Sequence, residues 1–253
     1  MYFKIFVGII IPFIGTSLGA LCVYFLKKKI KKRTVQILNG FAGGVMIAAS
    51  VWSLLIPAME YESSQAFGKF AFLPALCGIW LGVAFMFLLE KFIPTPSSES
   101  LVKKNMLFWS VSMHNLPEGM AVGVLYAAVL KGGGAHILTA AFSLSIGIAI
   151  QNFPEGAIIS MPLYGKGMNK NRAFIFGILS GIIEPVGALL TIAAVTVFLP
   201  FLPALLGFAA GAMIYAVLSE LMPDIISDNG SKIGTLLFIV GFSCMMILDV
   251  ALG

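Results

Sequence analysis

The chain has 253 residues, of which 59% are apolar and only 11% charged, and its mean hydropathy is +1.01. A soluble domain carries about 25% charged residues, so a soluble enzyme, a disordered chain and a nucleic-acid binder are all poor readings. The net charge of +5 has to be judged by where the basic residues sit.

Apolar runs fall at residues 3–26, 36–56, 71–92, 106–130, 137–161, 173–198, 204–223 and 233–252. Each is long enough to cross a bilayer as a helix, the form in which a segment satisfies its own backbone hydrogen bonds in lipid. The expected fold is therefore all-α: a polytopic membrane protein of eight spans in a single domain, residues 1–253. The first run has almost no positive flank before it and no clear cleavage site. It is followed by Lys27, Lys28, Lys29, Lys31, Lys32 and Arg33, and reads as a retained span rather than a signal peptide. Cys22, Cys77 and Cys244 stand alone in apolar stretches and read as small packing residues.

With eight spans, the loops after spans 1, 3, 5 and 7 share one side. That side holds 13 of the 16 basic residues, and the other side only Lys4, Lys69 and Lys131. Positive-inside bias places the basic side in the cytoplasm and both termini outside. The charge is thus an orientation signal and needs no nucleic acid.

Two self-similarities follow. Span 2 opens Gly40-Phe41-Ala42-Gly43-Gly44-Val45-Met46-Ile47 and span 7 opens Gly207-Phe208-Ala209-Ala210-Gly211-Ala212-Met213-Ile214, identical at six of eight positions. These spans cross in opposite directions, the mark of an inverted-topology repeat. Spans 1–3 then mirror spans 6–8 around a central span 4/5 pair. That pair carries the second likeness: His114-Asn115-Leu116-Pro117-Glu118-Gly119 against Gln151-Asn152-Phe153-Pro154-Glu155-Gly156.

His114 and Glu118 are four residues apart and share one helix face, as do Gln151 and Glu155, with Asn115 and Asn152 beside them. Pro117 and Pro154 lack an N–H, which frees the carbonyls of Met113 and Ile150. Counted at about 1.5 Å per residue, His114, Gln151 and Glu184 fall near the middle or in the inner half of the membrane. Glu184 precedes Pro185, another break. A carboxylate at the bilayer centre costs roughly 2.5–3.5 kcal/mol, and no Lys or Arg lies mid-span to pair with Glu118, Glu155 or Glu184. Such acids either stay protonated or bind a cation, and with imidazole and amides beside them a divalent metal fits. The mixed nitrogen and oxygen set suits Zn²⁺, Fe²⁺, Mn²⁺, Co²⁺ or Cd²⁺. Seven candidate ligands exceed one tetrahedral site, which favours two adjacent sites bridged by Glu118 or Glu155.

On these residues the chain resembles the ZIP (Zrt/Irt-like) family of divalent-metal transporters, in particular its bacterial GufA-type branch. The resemblance covers eight spans, the two PEG hexapeptides, the Glu-Pro of span 6 and the openings of spans 2 and 7. It implies a binuclear centre, with His114, Glu118, Gln151 and Glu155 in one site and Asn115, Asn152, Glu155, Glu184 and Glu118 in the other. It implies transported zinc, no catalytic cofactor, and an elevator-like movement of spans 1, 4, 5 and 6 against spans 2, 3, 7 and 8, often in a homodimer. Import across the cell membrane is the expected activity. Met46 is placed to reach or close the first site from outside. Glu60 is placed to attract incoming cations, and Ser53, Glu220 and Asp249 to line the path or relay protons. The loop after span 3 is short and has no histidine, unlike the histidine-rich loop of many relatives. The alternatives are a selective cation channel, which shares the same ligands, and a membrane metallohydrolase. The latter would need a HExxH-like general base, and here the Glu stands four residues after the His.

Overall fold

The protein is described by a computed structural model that covers the backbone of residues 1–26, 30–61, 68–92, 101–165, 167–198, 201–226 and 232–252. Within these, the side chains of 92, 101–114, 195–198 and 252 lie outside the described set.

Among the described residues every regular element is a helix. Span 1 is Tyr2–Leu21, tightening into a 3₁₀ turn at Cys22–Phe25. Span 2 runs Lys32–Ala49, loosens into a π-helical stretch at Ser50–Leu55 and ends at Ile56–Glu60. Span 3 is Leu73–Phe92, span 4 Leu101–Leu130 and span 5 Ala135–Gly165. Span 6 is broken into Lys170–Gly181 and Ile183–Phe198. Span 7 runs Leu202–Ala216 through a π-helical Val217–Leu221 to Met222–Ile225, and span 8 is Ile233–Leu252. Seven of these stretches are long and apolar enough to cross a membrane, and Asn115–Leu130 is the apolar, fully described part of the eighth. The chain is a polytopic membrane protein.

Several helices outrun their apolar sequences. Span 2 starts at Lys32 rather than 36, span 4 takes in 101–105, and span 5 continues to Gly165. A helix closes its hydrogen bonds whatever its side chains are, and Lys and Arg at a membrane edge lay their stems along it while the charge stays wet. Of the expected loop Ile93–Lys104, residues 101–104 are helix and 93–100 lie outside the described residues.

The repeat read from the sequence is present in the packing. A Cβ on Gly40 would lie 2.2 Å from the Gly234 carbonyl oxygen of span 8, and one on Gly207 2.3 Å from that of Ala75 in span 3. One turn on, Gly44 meets Phe238 O at 2.0 Å and Gly211 meets Ile79 O at 2.3 Å. The starts of the two π-helical stretches, Ser50 and Val217, have the same sequence offset as Gly40 and Gly207. Spans 4 and 5 correspond in the same way. A Cβ on Gly119 would lie 2.1 Å from Glu184 O, and one on Gly156 2.0 Å from Thr16 O. A Cβ on Gly187 would lie 3.0 Å from Leu116 O, and one on Gly19 1.9 Å from Phe153 O. Small residues let helix backbones touch, which is how helices associate where lipid offers no hydrophobic drive. These contacts pair span 1 with 5, 4 with 6, 2 with 8 and 3 with 7.

Candidate metal centre

The two PEG hexapeptides lie on continuous helices, since neither Pro117 nor Pro154 interrupts its span. Because proline has no N–H, the carbonyls of Met113 and Ile150 lose their intrahelical donor without the helix ending. Span 6 does break, at Ile182, and Pro185 then falls in the first turn of the second segment, where a missing N–H costs nothing. Glu184 sits at this break, directly beside Gly119 of span 4.

Six of the seven expected ligands are buried in the interior. Asn115, Glu118, Gln151 and Asn152 are 0% exposed, Glu155 2% and Glu184 1%. Glu184 Oε1 accepts hydrogen bonds from Asn115 Nδ2 at 3.2 Å and Thr16 Oγ1 at 2.9 Å, and its Oε2 accepts from Asn152 Nδ2 at 2.8 Å. The same amide nitrogens reach backbone oxygens: Asn115 to Ser180 O at 3.1 Å, Asn152 to Pro12 O at 3.4 Å. Gln151 Nε2 donates to Glu118 Oε1 at 2.5 Å. The side chain of His114 lies outside the described residues; its backbone is helical, one turn before Glu118.

With their nitrogens committed to carboxylates, three amides are left with an oxygen that no donor reaches: Asn115 Oδ1, Gln151 Oε1 and Asn152 Oδ1. A buried acceptor without a donor costs about 1–3 kcal/mol. A cation within reach of such an oxygen would relieve this and needs no proton. No three of His, Cys, Asp and Glu cluster by themselves among the described residues, so any cation here takes amide as well as carboxylate oxygen. That is a hard, oxygen-rich donor set.

The sequence reading missed span 1. Thr16 is fully buried and donates to Glu184, and Pro12 supplies a carbonyl to Asn152. A signal was available: Gly15, Thr16, Gly19 and Ala20 form a small-residue face, and aligning span 1 with span 6 brings Thr16 opposite Glu184.

The outlying candidates are dispersed. Met46 is fully buried in the larger apolar cluster. Ser53 and Asp249 are brought together, with Ser53 Oγ donating to Asp249 Oδ1 at 2.7 Å. Glu60 is exposed at the last residue of span 2, and Glu220 is half-buried in the π-helical turn of span 7.

Apolar helical spans in an inverted repeat, with carboxylates and amides buried between them, define a polytopic membrane protein. Residues 94–249 match the family described as ZIP zinc transporter. The chain is 33% identical to zinc transporter ZIP11 of Homo sapiens over 94% of each chain. It is 34% identical to zinc transporter ZIPB of Bordetella bronchiseptica, over 95% of this chain and 79% of that one. It is 32% identical to zinc transporter GufA of Myxococcus xanthus, over 94% of this chain and 95% of that one. The chain belongs to the ZIP family, as the paired hexapeptides suggested, and the GufA likeness is among its matches. This is a family of transporters and not of enzymes, which removes the metallohydrolase reading.

Proposed function

We propose that the whole chain, residues 1–253, forms one transport domain that carries zinc, and with it Cd²⁺, Fe²⁺, Mn²⁺ or Co²⁺, into the cytoplasm across the cell membrane. The observation that carries this reading is the trio of donorless amide oxygens on Asn115, Gln151 and Asn152 beside Glu118, Glu155 and Glu184. In this reading His114, Glu118, Gln151 and Glu155 hold one ion. Asn115, Asn152 and Glu184, with Glu118 and Glu155 bridging, hold a second. Met46, Ser53, Glu60, Glu220 and Asp249 line the approach and exit. Both termini are outside, by the side on which the basic residues collect.

The movement is a displacement of spans 1, 4, 5 and 6 against spans 2, 3, 7 and 8, in a homodimer. The packing supports this division. Among the described residues, each glycine whose Cβ would come closest to another span's backbone meets a span of its own group. Across the division Gly147 of span 5 meets the flexible tip of Met245 in span 8, at 2.3 Å from Cε. Backbone contact between glycines and carbonyls holds two helices at one register, whereas a methionine tip yields.

Zinc uptake into proteoliposomes tests the function. Saturable, zinc-dependent uptake by the native chain, abolished by the double substitution His114→Ala, Glu118→Ala, is the expected result; equal uptake by both removes the assignment. Turnover that fails to saturate favours the channel reading, which the same ligands permit.

A further inference from the structure

We propose that Thr16 of span 1 is a positioning residue of the metal centre: its hydroxyl fixes the carboxylate of Glu184 in the orientation that receives the cation. The inference rests on the reading of Glu184 as a metal ligand given above and adds a span to a site otherwise built from spans 4, 5 and 6.

The geometry points this way from three directions. Thr16 Oγ1 is 2.9 Å from Glu184 Oε1, across 168 positions of sequence and in a region from which water is excluded. Three donors on the described residues reach the carboxylate: Thr16 and Asn115 hold Oε1, and Asn152 holds Oε2. Of these, Asn115 and Asn152 are themselves candidate ligands through their oxygens, so their amides turn when the cation arrives or leaves. The Thr16 hydroxyl is the donor of the three with no competing place in the ligand set. It is free to hold Glu184 through the cycle.

Thr16 is also held in place. A Cβ at Gly156, in the span 5 hexapeptide, would lie 2.0 Å from Thr16 O, and one at Gly181, on span 6, 2.8 Å from Thr16 Cβ and 3.0 Å from Oγ1. Glycine at both positions lets span 1 approach closely enough for the hydroxyl to reach the carboxylate. A threonine is stiff at χ1, and the second bond of this hydroxyl, to Pro12 O at 3.5 Å, is weak by its length.

The inverted repeat supplies the third direction. Gly156 rests on Thr16 O as Gly119 rests on Glu184 O. Thr16 is therefore the counterpart of Glu184, and the two meet each other. A second acid at position 16 would set two carboxylates face to face in lipid, where like charges strongly disfavour each other. A hydroxyl there converts that repulsion into a hydrogen bond.

The test compares three full-length proteins in proteoliposomes and detergent. Thr16→Val keeps the shape and removes the hydroxyl; Thr16→Ser keeps the hydroxyl and removes the methyl that packs on Gly181. The half-saturating zinc concentration for uptake, and the rise in melting temperature on adding zinc, are read for each. Loss of one hydrogen bond to a charged acceptor weakens an interaction about tenfold or more. Expected are a half-saturating concentration raised about tenfold in Thr16→Val, a correspondingly smaller zinc-induced stabilisation, a melting temperature without zinc lowered by a few degrees, and recovery of zinc affinity to within about twofold in Thr16→Ser. Native-like zinc affinity in Thr16→Val overturns the proposal, as does an equal loss in Thr16→Ser, since the methyl and not the hydroxyl would then matter. Failure of the underlying site reading is separately visible: the native chain would then bind zinc no better than Glu184→Gln.

Discussion

Gly119→Ala replaces a hydrogen by a methyl group at the tightest glycine of the span 4/span 6 contact. The new Cβ would lie 2.1 Å from the Glu184 carbonyl oxygen and 2.7 Å from its Cα, where ordinary contact begins at 3.4 Å. The obstruction is backbone, so no rotamer change relieves it, and the two helices must part by about 1 Å. Overpacking of this kind costs roughly 1–3 kcal/mol. The better helix propensity of alanine returns up to about 1 kcal/mol. A net fall of roughly 3–8 °C in melting temperature is expected for a chain of this size. The larger effect is on the site, because the displaced backbone belongs to Glu184 itself. A carboxylate moved by about 1 Å no longer closes a coordination shell whose tolerance is roughly 0.5 Å, so zinc affinity should fall at least tenfold. Gly43→Ala is the control. Its nearest neighbours are side-chain atoms at 3.5 Å, and the same substitution there fits without movement. Melting curves in detergent with and without zinc, and zinc uptake in proteoliposomes, read both effects. Native-like stability and affinity in Gly119→Ala would refute the reasoning, and so would a Gly43→Ala protein damaged to the same degree.

Three further outcomes follow from the same geometry. Glu184→Gln keeps the size of the side chain but removes its charge and sets an amide against three donors. Zinc binding by calorimetry should weaken about 100-fold or more while the helical circular dichroism is retained. Asn39→Leu removes the 3.1 Å bond to Asp224 that ties the end of span 7 to span 2; because Asp224 is exposed, about 1 kcal/mol is expected, a loss of a few degrees in melting temperature, with zinc affinity unchanged. Gly15→Ala would press its Cβ to 2.3 Å from Ala149 O and lower the melting temperature, whereas Gly147→Ala presses on the flexible Met245 tip, with Leu248 in ordinary contact, and should alter the uptake rate with little change in stability; the reverse order would contradict the division into two groups.

The sequence was informative wherever chemistry and period coincided. Hydropathy located the spans because lipid admits few charges, and six of eight matching residues located the repeat. The PEG hexapeptides named five residues, Asn115, Glu118, Gln151, Asn152 and Glu155, that the fold buries, and the Glu-Pro of span 6 named a sixth. What the sequence concealed was long-range and neutral. Thr16 carries no charge, sits among small apolar residues and approaches Glu184 only because Gly156 and Gly181 lack side chains. The pairing of Ser53 with Asp249 likewise depends on how spans 2 and 8 lie together, which no local pattern records. The helix ends were misjudged for a different reason: hydropathy measures what faces lipid, while a helix continues as far as its backbone remains bonded, through Lys32 and Arg33 at the start of span 2.

The repeat also bears on how the proposed movement could be reversible. Spans 1 and 6, and spans 4 and 5, exchange under the repeat, so the group holding the metal centre is internally two-fold. Spans 2 and 7, and spans 3 and 8, exchange likewise, so the other group is too. Displacing one such group toward one membrane face therefore makes nearly the same kinds of contact as displacing it toward the other, with the roles of the paired spans exchanged. Two states built from matched contacts differ little in energy, and a ligand of ordinary affinity then suffices to shift the balance between them. The symmetry is broken where the cargo would sit. Glu184 faces Thr16 rather than its own duplicate, and His114 corresponds to Gln151. These exchanges give the centre a direction that the surrounding helices lack, so substitutions at Thr16 or Gln151 should bias the two states unequally, while matched substitutions such as Gly40→Ala and Gly207→Ala should weaken both alike.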